Sequence, residues 1–153
     1  MNNKKRLFIG CVSAALAIGS ATNASAQDKI TLRFADWMPE SAFTTTYGAK
    51  AFMEKAQELS GGHISFQYFP AEQLGKGSEA LTLLQSGVAD IANVAPAYLS
   101  EHLPLSAVVE LPGIVTDSCT AADKFYNLVQ PGEPLYEAEF KRKDVRPLFT
   151  ANL

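Results

Sequence analysis

Between Ile30 and Val129 the apolar residues switch repeatedly from a period of two to a period near 3.6, and that alternation confines the chain to a narrow set of architectures. The stretch 30–35 (Ile-Thr-Leu-Arg-Phe-Ala) alternates apolar and polar as a strand does. From about Thr44 to Leu59 the spacing becomes helical. Ala49, Phe52, Met53, Ala56 and Leu59 share one face, and Lys50, Glu54, Lys55 and Glu58 the other. Gly61-Gly62 ends that helix, since glycine takes the left-handed cap without steric cost. Residues 63–69 alternate again until Pro70. The spacing predicts a second helix over about 78–86, with Ala80, Leu81 and Leu84 inward and Gly87 as its cap. Residues 88–94 read as a more apolar strand, consistent with burial on both faces. A proline-punctuated irregular stretch leads to a third helix marked by Ala121, Ala122, Phe125, Leu128 and Val129. A fourth helix is expected over 135–140 and a last strand over 144–151, where Pro147 restricts it to an edge or a strand start. The order strand, helix, strand, helix, strand, helix, strand predicts an α/β fold: a mostly parallel sheet flanked by helices.

The first 26 residues stand apart. Lys4, Lys5 and Arg6 precede an apolar run from Leu7 to about Ile18, and Ala24-Ser25-Ala26 supplies small residues before Gln27. This is the pattern of a secretory signal peptide, so residues 1–26 are expected to be a leader and 27–153 the mature domain, in the periplasm of a double-membrane bacterium. No later apolar run approaches the ~20 residues that span a bilayer, so no membrane span is expected in the mature chain. The chain holds 13 Lys+Arg against 16 Asp+Glu. The leader takes three of the basic residues and no acid, leaving a clearly acidic remainder. That balance argues against nucleic acid as a partner. Of the two cysteines, Cys11 lies in the leader, so the mature chain has no internal disulfide; Cys119 reads as a small side chain opening a helix.

In an open α/β sheet the ligand site lies beyond the carboxyl ends of the strands. Those ends are 36–41, 70–76, 93–98 and the residues from Asn152 onward. They bring aromatic surface and a few polar groups to one rim, which is how small-molecule clefts are lined. The candidate ligand-binding residues are Trp37, Glu40, Gln73, Lys76, Asn93, Pro96 and Tyr98. Catalytic and cofactor signatures are lacking. Gly75-Lys76-Gly77-Ser78 does not have the spacing of a phosphate loop. His63 and His102, the only histidines, have no metal-ligand spacing to Cys119 or to an acid pair. No nucleophile elbow occurs. Neither a cofactor nor a metal nor a catalytic residue is expected.

Two blocks carry a more specific signal. Tyr68-Phe69-Pro70-Ala71-Glu72-Gln73-Leu74-Gly75 is followed by Glu79-Ala80-Leu81 and then Leu84-Gln85-Ser86-Gly87-Val88-Ala89-Asp90-Ile91-Ala92, with Pro96-Ala97-Tyr98 and Leu111-Pro112 beyond. From about Ile30 to its end the chain resembles the solute-binding proteins of tripartite ATP-independent periplasmic (TRAP) transporters. The resemblance implies a two-lobe clamshell that closes on a small organic acid and hands it to the sodium-driven TRAP permease subunits in the membrane. It also implies that this chain is the N-terminal lobe, with the C-terminal lobe missing and the family's ligand-binding arginine falling just beyond Leu153. The same lobe could instead present a solute to a membrane sensor kinase. Residues Trp37 and Tyr98 point to a ligand with an apolar or aromatic body.

Overall fold

The computed structural model describes residues 28–150, so the leader read from residues 1–26 lies outside the described residues, as does the Asn152 end of the rim. Three strands form the sheet: β1 (Ile30–Ala35), β2 (Ile64–Phe69) and β3 (Ile91–Ala92). Their order is β2-β1-β3, and both pairings are parallel. Between β1 and β2 lies one helical run, which opens as a wide π turn over Thr45–Lys50 and continues as α1 (Ala51–Leu59). Gly61 and Gly62 turn the chain at φ 60° and 81° and feed β2. A 3-10 turn (Gly77–Glu79) leads into α2 (Ala80–Gln85), which crosses back to β3. Short helical turns follow, among them α3 (Pro104–Ala107), and then α4 (Ser118–Leu128), whose first turn is capped by the Asp117 carboxylate on the Thr120 amide at 2.7 Å.

The register divides the sheet residues between its two faces. Phe34 pairs with Tyr68 and with Ile91, and Leu32 with Phe66. Because side chains alternate along a strand, these share one face. That face meets α1, where the Phe52 ring packs edge-on to Phe66 with centroids 6.1 Å apart. Ala35 and Ala92 take the opposite face. There Ala92 and Val94 join the main core: Ala80, Leu81, Leu99, Leu103, Phe125, Val129 and Phe140, all nearly sealed from solvent. At the amino end of β3 the Arg33 guanidinium grips Asp90 through Nε and Nη2 and donates to the Gly87 carbonyl, which fixes the α2-β3 turn against β1.

Four expectations need correction. The strand expected over 88–94 pairs only at Ile91–Ala92. The strand expected over 144–151 does not form among the described residues; 144–150 alternates inward and outward side chains but joins no strand, and Pro147 has no N–H to give a ladder. Leu59, assigned to the inner face of the first helix, is 76% exposed, because the helix ends there and its last turn runs past the sheet. The helix expected over 135–140 is a single π turn, Tyr136–Phe140, followed by a 3-10 turn. Its Glu139 is buried, and the carboxylate accepts from the amides of Leu105 and Ser106 and from the Ser106 hydroxyl. It thereby satisfies free N–H groups at the start of α3. Cys119 opens α4 as expected, though exposed.

Candidate functional site

The three parallel strands end on one rim, and its centre is Asp36, the residue after β1, only 2% exposed. Its Oδ1 accepts from the Met38 amide at 2.9 Å and from Asn93 Nδ2 at 2.8 Å. Its Oδ2 accepts from the Tyr68 hydroxyl at 2.8 Å and lies 3.5 Å from Thr45 Oγ1, which also donates to the Pro39 carbonyl at 3.1 Å. One carboxylate therefore ties together the residues that follow β1, the end of β2, the turn after β3 and the π turn. Burial pushes the Tyr68 hydroxyl well above the ordinary phenol range, and the Asp36 charge adds to the shift. Tyr68 thus stays a donor at neutral pH.

The loop after β2 is tied to the loop after β1. Ala71 and Glu72 sit at φ 51° and 61°, a region that side chains with a Cβ enter at a cost. The Ala71 amide donates to the Met38 carbonyl at 2.9 Å and the Glu72 amide to the Asp36 carbonyl at 3.1 Å. The Glu72 carboxylate then accepts from the Gly77 amide at 2.9 Å. Gly77 is there because the loop presses on the indole: a Cβ at this position would stand 3.0 Å from Trp37 Cγ. On another side the Trp37 ring meets Tyr98 edge-on, with centroids 5.1 Å apart.

Beside this rim a cavity of about 690 Å³ opens between β3 and the 144–150 segment. Trp37, Thr44, Asn93, Pro96 and Glu110 line it at the strands' carboxyl ends, whereas apolar core residues such as Phe34, Leu81, Phe125 and Val129 line its depth. The Trp37 indole N–H and the Thr44 hydroxyl are buried without a hydrogen-bond partner.

The structure brings five of the seven residues named from the sequence to this region. Trp37, Asn93 and Pro96 line the cavity, Tyr98 packs on Trp37, and Lys76 shares a small crevice with Trp37 and Asn93. Lys76 itself is exposed, and its amide donates to the Glu79 carboxylate at 3.0 Å. Glu40 is engaged elsewhere. It pairs with Lys50 at 2.8 Å, and that hydrogen bond holds its carboxyl below the ordinary range. Gln73 is exposed and lines neither space. Among the described residues no group of three or more His, Cys, Asp or Glu side chains could hold a metal ion.

Residues 35–152 match the model of the bacterial extracellular solute-binding protein family 7, the DctP family. The chain belongs to this family. DctP-family proteins are substrate-binding components of transport systems. A curated relative, the uncharacterized protein YiiZ of Salmonella typhimurium, is 32% identical over 88 residues, 56% of this chain and 26% of its own. A TRAP solute-binding protein from Rhodoferax ferrireducens T118, solved with copurified benzoate, is 29% identical with a TM-score of 0.62, covering 67% of this chain and 32% of that one. A TRAP periplasmic solute-binding protein from Sulfitobacter sp. NAS-14.1, solved with bound β-D-galacturonate, is 26% identical with a TM-score of 0.59, covering 74% and 37%. The chain thus spans about a quarter of the curated relative and about a third of these solved ones. Among the described residues no helix is long and apolar enough to cross a membrane.

Sequence reasoning placed Asp36 in the rim stretch 36–41 without singling it out, and missed Thr44, Thr45 and Tyr68 as parts of this DctP-family rim. The available signal was an acid directly after an alternating strand, a position that points its side chain among the turns at the sheet's end.

Proposed function

We propose that this DctP-family chain is the N-terminal lobe, residues 27–153, of a periplasmic receptor that captures a small organic acid for a sodium-driven TRAP permease and catalyses no reaction. The observation that carries this reading is the convergence of Trp37, Asn93, Pro96 and Tyr98 on one rim of a DctP-family sheet, with Lys76 beside them. The ligand lies at that rim, outside the strand ends, where polar groups are concentrated. The depth of the cavity offers it only apolar wall.

Each side chain then has a role suited to its chemistry. Trp37 and Tyr98 supply flat apolar surface. Asn93 spends its amide N–H on Asp36 and keeps its Oδ1 for a ligand hydroxyl. Lys76 supplies a cation for a carboxylate. Gln73 and Glu40 sit further out and meet the ligand only from the margin. The benzoate and galacturonate of the two solved relatives both carry a carboxylate, which supports the organic-acid class.

Trp37 is the only tryptophan, so its emission reports this rim directly. Titration with benzoate and with galacturonate is expected to shift Trp37 fluorescence saturably in the secreted chain, with Lys76→Ala weakening the response at least threefold. Unchanged emission up to millimolar concentrations of a broad carboxylate panel would overturn the proposal.

A further inference from the structure

Asn93 directly follows β3, and its backbone is pinned there by an amide hydrogen bond to the Ala35 carbonyl at 2.9 Å. Its side chain lines both the cavity and the crevice that holds Lys76. An asparagine amide has a donor end and an acceptor end of nearly the same shape, and a half-turn about its last bond exchanges them. Which end faces the rim is therefore set by the neighbour, and that neighbour is Asp36. A carboxylate accepts and does not donate, so Asn93 turns Nδ2 toward it, at 2.8 Å. The carboxylate is in turn held against rotation. The Met38 amide donates to Oδ1 at 2.9 Å and the Tyr68 hydroxyl to Oδ2 at 2.8 Å, from two separate segments. Burial keeps the Tyr68 hydroxyl protonated, so all three of these partners are donors. With Asp36 only 2% exposed, water does not compete for its oxygens.

The consequence falls on the far end of the amide. Asn93 Oδ1 accepts from no group among the described residues. Unlike the Trp37 indole N–H and the Thr44 hydroxyl, it is not sealed from solvent. An acceptor held in one orientation rewards a ligand that brings a proton to it and penalises one that brings a second acceptor. The Lys76 cation shares the crevice with Asn93 and repels an ammonium, which leaves a neutral hydroxyl as the fitting donor. We infer that Asp36 is a positioning residue for ligand choice: by fixing the Asn93 amide, it makes this rim select hydroxy acids over acids of the same size that lack the hydroxyl. This rests on the organic-acid reading of the rim and adds to it which organic acids are preferred, and which buried residue enforces the preference.

The test follows Trp37 emission of the whole chain against 3-hydroxybenzoate and 3-fluorobenzoate, which share the ring and the carboxylate and differ in the hydroxyl proton. The expected result is at least about tenfold tighter binding of the hydroxy acid, because its analogue leaves the acceptor unpaired. Asp36→Asn keeps the shape but presents either end of its own amide, so Asn93 is free to turn over. In this variant the preference should shrink to about twofold or less, with little change in the affinity for 3-fluorobenzoate. A general loosening of the rim would weaken both acids alike. If the variant does not fold, NMR of the wild-type chain decides: 3-hydroxybenzoate should move the Asn93 side-chain carbonyl carbon signal, and 3-fluorobenzoate should not. Equal affinity for the two acids, an unmoved carbonyl signal on binding the hydroxy acid, or a full preference retained in Asp36→Asn would each overturn the inference and leave the organic-acid reading standing. Binding of neither these two acids nor any other carboxylate would overturn both.

Discussion

Asp36 shows how much of this rim depends on one side chain. Its carboxylate receives hydrogen bonds from a backbone amide, an amide side chain and a phenol, contributed by three different parts of the chain. Truncation leaves these donors buried and unpaired, which costs more than the bonds themselves were worth. Asp36→Ala is expected to destabilise the fold by roughly 3 kcal/mol, read from the urea midpoint, since hydrogen bonds to charged groups are worth about 1.5–3 kcal/mol each and their losses overlap. The same variant should release the Asn93 side chain and broaden its amide NMR signals. A change below about 1 kcal/mol would show that water replaces the carboxylate readily. None of this was legible in the sequence, because a buried acid and a solvated loop acid are written with the same letter. Trp37 and Asn93 were legible, because rim position follows from strand position. Glu40 was assigned to the rim on that same logic; its pairing with Lys50, ten residues on in sequence and beside it in space, was not legible.

At the scale of elements, the clamp between Arg33 and Asp90 decides how β3 is held. The carboxylate accepts from the Arg33 guanidinium and from the Arg33 backbone amide, and these hydrogen bonds, the guanidinium's first, hold Asp90 below its ordinary value of 3.8. A depressed carboxyl adds stability that is present above the unfolded value and is lost as pH falls through the folded one. Urea midpoints measured from pH 6 to pH 2 should therefore fall below about pH 4, with a flatter acid limb in Asp90→Asn, which starts lower at neutral pH. Identical acid limbs in the two proteins would refute the assignment. Elements with a strong local period were readable in advance: β1, the first helix, β2 and α4. The last strand was not. Val145 to Phe149 has the right alternation, but a strand exists only when a neighbour accepts its hydrogen bonds, and pairing is a property of two segments. The π turn over Thr45–Lys50 escaped for a related reason, since its widening serves the Thr45 contact with Pro39 and Asp36 rather than any local preference.

For the whole molecule, the exposed apolar residues set the expected behaviour in solution. Tyr98, Leu105, Val108, Leu111 and Ile114 are each about half exposed and fall within one short stretch of chain, and Phe43 and Tyr47 meet at a tilt at 68% and 69% exposure. Exposed apolar side chains at this density promote association. Multi-angle light scattering should show an apparent mass that rises above the 16.5 kDa chain with concentration, and Leu111→Lys should reduce the rise. A strictly concentration-independent monomer would contradict this.

Glu139 carries a consequence for how distant parts of the chain are joined. Its carboxylate stitches the π turn at Tyr136–Phe140 to the first amides of α3, a link that spans more than thirty residues of chain. Next to α3 in sequence comes Glu110, whose side chain grips the Ala97 amide one residue before Tyr98. Two successive acidic contacts thus run from the turn at Phe140 through α3 to the residue before Tyr98, one of the aromatic pair at the mouth.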